Sequence, residues 1–501
     1  MTQSKLSSKL LRVAGYAPKA LVMVLVYALP ILGVWAASSL AAYLNGPRWA
    51  PFVAGALAFP LLPVSWEALS KYQRSRNPKA RPHILTLADR LTLRTLAVNL
   101  LFLGTILTVY PSHLFAALSA RGDWFVSGKN DPTSQRLRAL AFAAADRFEW
   151  LYELTHTNPF EEDEPPPPPP PPTVSAAQPK PAPTPTPTAP SVATAKPAVE
   201  EQKPPTPPPV SDVPSWPFEI ELHPVVQTVP PAAEASPAAV GTYLREHVPD
   251  IVQRVKAVHD YVADRIAYDV PALSASSFPP QDAVTVLASR KGVCEGYSRL
   301  MVAVGKAAGL EIVQVVGYSR DMGGDVSGAG HAWNAVRIAQ AWYLVDATWD
   351  AGFVNSEGFT KRYTTDYFLS PPEVFGTNHF PDEPRWQLRA SPISRGDFIR
   401  QPNLRPGFFA HGLRLRQPDR SQVSVTDSFL AEIDNPRNIS VRAYHGYKGG
   451  YAGGDCQVEA GPIARVVCPV SPGQHHVQLF VGKAAHEVHW FVGQFEVNRP
   501  Q

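Results

Sequence analysis

The chain has 501 residues, 45% of them hydrophobic, and a formal net charge of +3. That length exceeds one compact domain and points to two or three joined by linkers, while so mild a charge excludes the basic stripe of a nucleic-acid partner. The three cysteines form no CxxC pair, which excludes the usual structural zinc site.

The first elements in chain order belong in a bilayer. Residues 20–44 carry no charge and are long enough to cross ~30 Å of hydrocarbon as a helix. Further apolar runs cover residues 49–66, which contain Pro51, Pro60 and Pro63, and residues 93–110. The first run is longer than the core of a cleavable signal peptide. Lys5, Lys9, Arg12 and Lys19 precede it, and Lys71, Arg74, Arg76, Lys79, Arg81 and Arg90 lie between the second and third. Both basic groups favour the cytoplasmic side. The expectation is a membrane region, residues 1–110, with three crossings. Everything after it is then extracytoplasmic (periplasmic in a Gram-negative bacterium), with a cell-wall or envelope partner within reach.

Residues 111–160 read as a helical stalk. Within them, residues 131–156 have an amphipathic pattern in which Leu137, Leu140, Phe148 and Leu151 alternate with Arg and Asp. Residues 161–214 then become proline-rich, with an unbroken proline run at 165–172. Such a segment buries too little apolar surface to fold and favours polyproline II. At ~3.1 Å per residue it forms a semi-rigid disordered linker on the order of 150 Å long.

Globular patterning resumes near Trp216, and residues 215–389 are expected to form one domain. Residues 238–268 read mainly as helix, with Val252, Val255, Val258, Val262 and Ile266 at helical spacing and His259 on the same packed face. In RKGVCEGYSRLMVAVGKAAGL (290–310), Tyr297, Leu300, Met301, Val304 and Ala308 mark a buried face, and Gly309 ends the helix. Cys294 therefore sits in the first turn, where the unpaired N–H groups and the helix dipole favour a thiolate and can receive an oxyanion. Glu295 and Gly296 leave room for close approach.

A strand at 312–318 and a glycine-rich turn, DMGGDVSGAG, lead to HAWNAVRI (331–338) and WYLVDATWDAG (342–352). These two runs read as a hairpin. A two-residue loop at 339–340 pairs His331 with Thr348 and leaves Asp346 one diagonal step away. A loop one residue earlier sets His331 opposite Asp346. Either register puts imidazole and carboxylate on one face, because side chains alternate with period two. The roles follow: Cys294 is the nucleophile, His331 moves its proton, and Asp346 orients the imidazole.

GVCEGYS, GHAWN and YLVDATWDAG resemble the three catalytic blocks of the transglutaminase-like superfamily. DYFLSPPEVFGTNHFPDEPRWQL (366–388) is similar to its kyphoscoliosis peptidase and cytokinesis-protein branch. The resemblance implies a papain-like α+β core acting on protein or peptide amides. Three outcomes stay open: hydrolysis, glutamine cross-linking, or a catalytically silent scaffold. Asp350 stands where this branch often has glycine, and its charge is expected to raise the His331 pKa. Gln281 is the candidate for the side-chain half of the oxyanion hole. Trp333, Trp342 and Trp349 read as core or groove lining, and His379 reads as structural. No acidic loop suggests a calcium site, and no metal or other cofactor is expected. Finally, residues 390–501 show short alternating runs such as HHVQLFVG, punctuated by Gly, Asn and Pro, which suggest an all-β sandwich. Cys456 and Cys468 are candidates for a disulfide there.

Overall fold

The computed structural model describes residues 23, 26–76, 84–129, 131–153, 160, 215–275, 277–321, 328–448 and 453–500. The basic residues 5–19, Lys79 and Arg81, the proline-rich linker and most of the glycine-rich turn lie outside them.

Among the described residues, three helices are long and apolar enough to cross a membrane: Val26–Tyr43, Ala50–Ser75 and Leu87–Val109. The third begins at Leu87 rather than near residue 93 because Thr86 and Asp89 close a reciprocal capping box around its start. That extension brings Arg90 and Arg94 onto Glu67 of the second helix.

The stalk reading gives way to a docked one. Asp131 caps the helix Pro132–Asp146, its carboxylate accepting the N–H groups of Thr133 and Ser134. Leu137 and Leu140, expected on a packing face, are exposed. The segment is held instead by buried charges. Asp123 pairs with Arg138 at 2.9 Å and with Arg420 at 3.0 Å. Arg395 lies 4.4–4.7 Å from the ring centres of Tyr152, Tyr318 and Phe380, and its N–H donates to Glu149 at 3.1 Å. Arginine over aromatic faces is favourable when desolvated, and these contacts fasten residues 111–153 to the later part of the chain.

Residues 237–381 form an α+β core. Residues 238–268 form two helices, Pro237–His247 and Ile251–Arg265, not one. Pro249 interrupts the run, and Asp250 caps the second helix through the Gln253 N–H at 2.8 Å. The helix Cys294–Ala307 follows, ended by Gly309 at φ +75°. It packs on a five-stranded antiparallel sheet in the order Phe368–Ser370, Ala341–Val345, Ala329–Ile338, Glu311–Ser319, His379–Pro381. Val255, Val258, Val262, Tyr297, Leu300, Met301, Val304, Val336 and Val345 share the core between helices and sheet.

The hairpin takes the two-residue loop: Ile338 pairs with Ala341, and Asn334 with Val345. Its strand ends at Val345, where residues 342–352 were expected to continue. Asp346 instead caps a short helix, Ala347–Ala351. An Asp whose carboxylate can accept the next two or three N–H groups favours helix initiation over a further ladder.

After residue 390 the chain is β-rich. A six-stranded and a four-stranded sheet share one core, which includes Phe429, Ile433 and Val466 from one and Val477, Leu479 and Phe495 from the other. Cys456 and Cys468 are disulfide-bonded.

Candidate active site

Cys294 is the first residue of its helix. Val293 before it is extended and has no side-chain cap. Its N–H donates to Gln281 Oε1 at 2.9 Å, while Gln281 Nε2 donates to Pro279 O at 2.8 Å. Gln281 thus shapes the turn before Cys294 through its oxygen and one of its two N–H groups. Gly296 has the same use: a Cβ there would lie 2.5 Å from Gln281 Oε1 and 2.8 Å from Val286 Cγ2. Its bareness admits Gln281 rather than an incoming substrate.

The motifs clamp one another. Ser298 Oγ donates to Trp333 O at 2.8 Å, and Asn334 Nδ2 donates to Ser298 O at 3.1 Å. The Ser of GVCEGYS and the Asn of GHAWN thus lock the cysteine helix to the histidine strand. On the neighbouring strand Gly317 pairs with His331, and a Cβ there would stand 2.7 Å from the Trp333 ring and 2.2 Å from Phe380 O.

These constraints bring Cys294, His331 and Asp346 together. Cys294 is 1% exposed and His331 4%. His331 Nε2 donates to Asp346 Oδ2 at 2.8 Å, and Cys294 is near enough to the imidazole to help raise its pKa. Asp346 Oδ1 accepts the N–H groups of Thr348 at 2.8 Å and Trp349 at 3.2 Å. The capping interaction that ends the strand therefore also fixes the carboxylate.

Two further residues, unassigned from the sequence, complete the cluster. His379, expected to be structural, lies 3.1 Å from Asp346 Oδ2 through its own Nε2. It is packed among Trp333, Trp349, Tyr367 and Phe375, with ring centres 4.2–5.2 Å away. Tyr268 arrives on the two-residue strand Ala267–Tyr268, which pairs in parallel with Lys291–Gly292. Tyr268 packs against the cluster that contains Cys294, and burial, with the neighbouring Cys294 and Asp346 charges, pushes its hydroxyl pKa up.

Burial lowers the basicity of His331, but the Asp346 charge and hydrogen bond, with Cys294, carry its pKa up to about 10. Burial alone would raise Asp346; the two histidines hold it well below the carboxylate range. Burial wins at His379, which falls to about 4 against the pull of Asp346. The ligand atoms of His331, Asp346 and His379 lie within 4.8 Å of one another, a set able to hold a metal ion. The direct His–Asp hydrogen bonds account for that spacing without one.

Asp350 does not act on His331. At the far end of the same short helix it lies 3.2 Å from His259 Nε2, an ionic contact off the hydrogen-bond angle, and accepts from Thr364 Oγ1 at 2.8 Å and from the Tyr367 N–H. His259 Nδ1 meets Asp260 at 2.9 Å, and Asp260 also takes Lys256 Nζ and Tyr363 Oη, each at 2.5 Å. His259 is therefore a buried packing residue satisfied within a charged network. Burial opposes its protonation, yet Asp260 and Asp350 lift its pKa to about 9. Burial raises Asp350 to about 6.

A helix-tip cysteine facing an imidazole and carboxylate on an antiparallel sheet defines a papain-like class of site. Residues 239–347, which contain all three groups, match the family model of the transglutaminase-like superfamily, and this part of the chain is a transglutaminase-like core of the kyphoscoliosis peptidase branch. The chain is 29% identical to mouse kyphoscoliosis peptidase over 287 residues, 54% of this chain and 42% of that protein. It is 32% identical to the human kyphoscoliosis peptidase over 210 residues, 38% of this chain and 31% of that one. To Drosophila melanogaster hillarin it is 31% identical over 151 residues, 26% of this chain and 18% of that protein. The matched part thus spans less than half the length of each of these relatives.

Proposed function

We propose that this chain is a membrane-anchored cysteine enzyme that cleaves protein or peptide amides through a Cys294 thioester. The observation that carries the reading is the meeting of Cys294 with His331, which is hydrogen-bonded to Asp346, whose carboxylate is held by four donors. His331, kept protonated at neutral pH by a pKa of about 10, holds the proton drawn from Cys294 as sulfur adds to the amide carbonyl. The oxyanion is received by the Cys294 N–H at the helix tip, with the neighbouring Tyr268 hydroxyl as its second donor. Collapse expels the amine, which leaves with the proton from His331. Water, deprotonated by His331, then hydrolyses the thioester and regenerates the thiol.

The three apolar helices support an anchored protein. The Cys456–Cys468 disulfide supports an extracytoplasmic catalytic half, because disulfides persist in oxidising compartments. A phosphatase reporter fused after Gln501 is then active and one fused after Arg76 inactive; the reverse pattern overturns the orientation.

The chemistry is tested by incubating full-length protein with glutamine-bearing polypeptides, with and without a fluorescent primary amine. Hydrolysis predicts new termini or ammonia that vanish in Cys294→Ala. Amine incorporation instead would assign cross-linking, and identical behaviour of both proteins would leave a scaffold.

A further inference from the structure

Beside the candidate nucleophile lies an apolar hollow that is already filled. Val293, Cys294 and Ala332 form one buried cluster with Phe160, against which Tyr268 and Val316 also pack. Phe160 is 4% exposed, and Phe278 borders it with ring centres 6.0 Å apart. The walls come from the elements that build the reactive centre: the residue preceding Cys294, the residue following His331, the neighbouring strand, and the tyrosine that touches Cys294. The occupant comes from elsewhere. Phe160 stands 134 residues before Cys294 (294 − 160), outside the matched residues 239–347.

We propose that this hollow is a substrate subsite for an aromatic side chain flanking the reacting amide, and that Phe160 fills it in place of substrate. This rests on the cysteine-enzyme reading above and adds the substrate class. An amide attacked by Cys294 must bring its carbonyl carbon within ~3–3.5 Å of the sulfur. At that distance a neighbouring side chain of the peptide meets Val293, Ala332 and Val316, which offer only apolar surface. The ring of Phe160 shows what such a seat takes. A large flat hydrocarbon buries well there, whereas a charged side chain would lose its hydration with no partner among those three residues. Because Phe160 is tethered to the same chain, its effective concentration exceeds that of a dilute peptide. The nucleophile is therefore covered until the ring leaves, and a substrate with a matching ring competes for the seat.

The test uses full-length protein in detergent, as wild type, Phe160→Ala and Phe160→Leu, each first checked for a wild-type melting transition. Leu is the fold-preserving control, since it keeps apolar bulk in the seat. Carboxamidomethylation of Cys294 by iodoacetamide at pH 7 should accelerate about tenfold in Phe160→Ala and less in Phe160→Leu, as the open fraction rises. A peptide chloromethyl ketone carrying Phe next to its warhead should label Phe160→Ala faster than its Ala counterpart, and N-acetylphenylalaninamide should slow that labelling. Wild-type rates in both variants, or equal labelling by the two ketones, would overturn the subsite. Adding His331→Gln to Phe160→Ala separates the two readings. Loss of labelling there with no aromatic preference sinks only the subsite; undiminished labelling sinks the cysteine-enzyme reading on which it rests.

Discussion

One short helix serves two buried histidine clusters, and they do different things. Asp346 at the start of Ala347–Ala351 takes His331 and His379, while Asp350 near its end takes His259. In both, a buried imidazole is held by carboxylates and its pKa is lifted, to about 10 at His331 and about 9 at His259. The difference lies in what faces the other side of each ring. His331 meets Cys294 at a helix tip, with Tyr268 beside it. His259 meets a second carboxylate, itself neutralised by Lys256 and Tyr363. A buried His–Asp pair is thus no sign of reactivity; it becomes a reactive centre only when a nucleophile and an oxyanion donor converge on it.

That contrast can be broken or sharpened. Asp346→Ala should cut the rate of Cys294 labelling by an amide-mimic probe about 10³- to 10⁴-fold, the scale seen when a triad carboxylate is lost. An unaltered rate would put Asp346 with the structural cluster. Asp350→Ala should do the opposite, destabilising the domain by about 3 kcal/mol because His259 loses a buried partner, while the folded fraction is labelled at the wild-type rate. Denaturant titration and probe kinetics on one sample check both halves. Tyr268→Phe removes one donor from the oxyanion position and should lower turnover about 10²-fold with substrate binding little changed.

The smallest effect concerns pH. His259 and His331 both have folded pKa values above the usual 6.5, so the stability they contribute is fully present below about 6.5 and is lost as pH rises through about 9 to 10. Asp350, raised to about 6, loses its share lower down, between about 4 and 6. The window from 6.5 to 10 therefore reads the two histidines, opposed in part by Lys361, whose pKa burial lowers to about 8. The denaturation midpoint should fall across it, and His259→Gln should flatten the fall by about 2 kcal/mol.

How much of this was legible in the sequence follows from which interactions are local. The cysteine helix was readable because Tyr297, Leu300, Met301 and Val304 repeat at helical spacing and Gly309 stops them. The hairpin was readable because its loop has two residues, which put His331 and Asp346 on one face. The break after Val345 was less plain: Asp346 serves both as triad member and as helix cap, and alternation alone extends the strand past it. Tyr268 escaped notice because a two-residue parallel pairing with Lys291–Gly292 carries no periodicity. His379 lies on an edge strand reached from the Ala347–Ala351 helix only after four intervening elements. Asp350 was misassigned by sequence proximity, since four residues along a helix turn a side chain towards a different neighbour from the one its cap faces. The docking of residues 111–153 rests on Arg395, Arg400 and Arg420, far along the chain, and no local pattern announces it.

The account stands on Cys294 being driven by His331. The direct measurement is to react wild type and His331→Gln with a peptide chloromethyl ketone, map the modified residue, and compare rates. The expected result is modification of Cys294 alone in wild type, with a rate at least about 10²-fold lower in the variant. Equal rates in two folded proteins, or modification that appears only on unfolding, would contradict it.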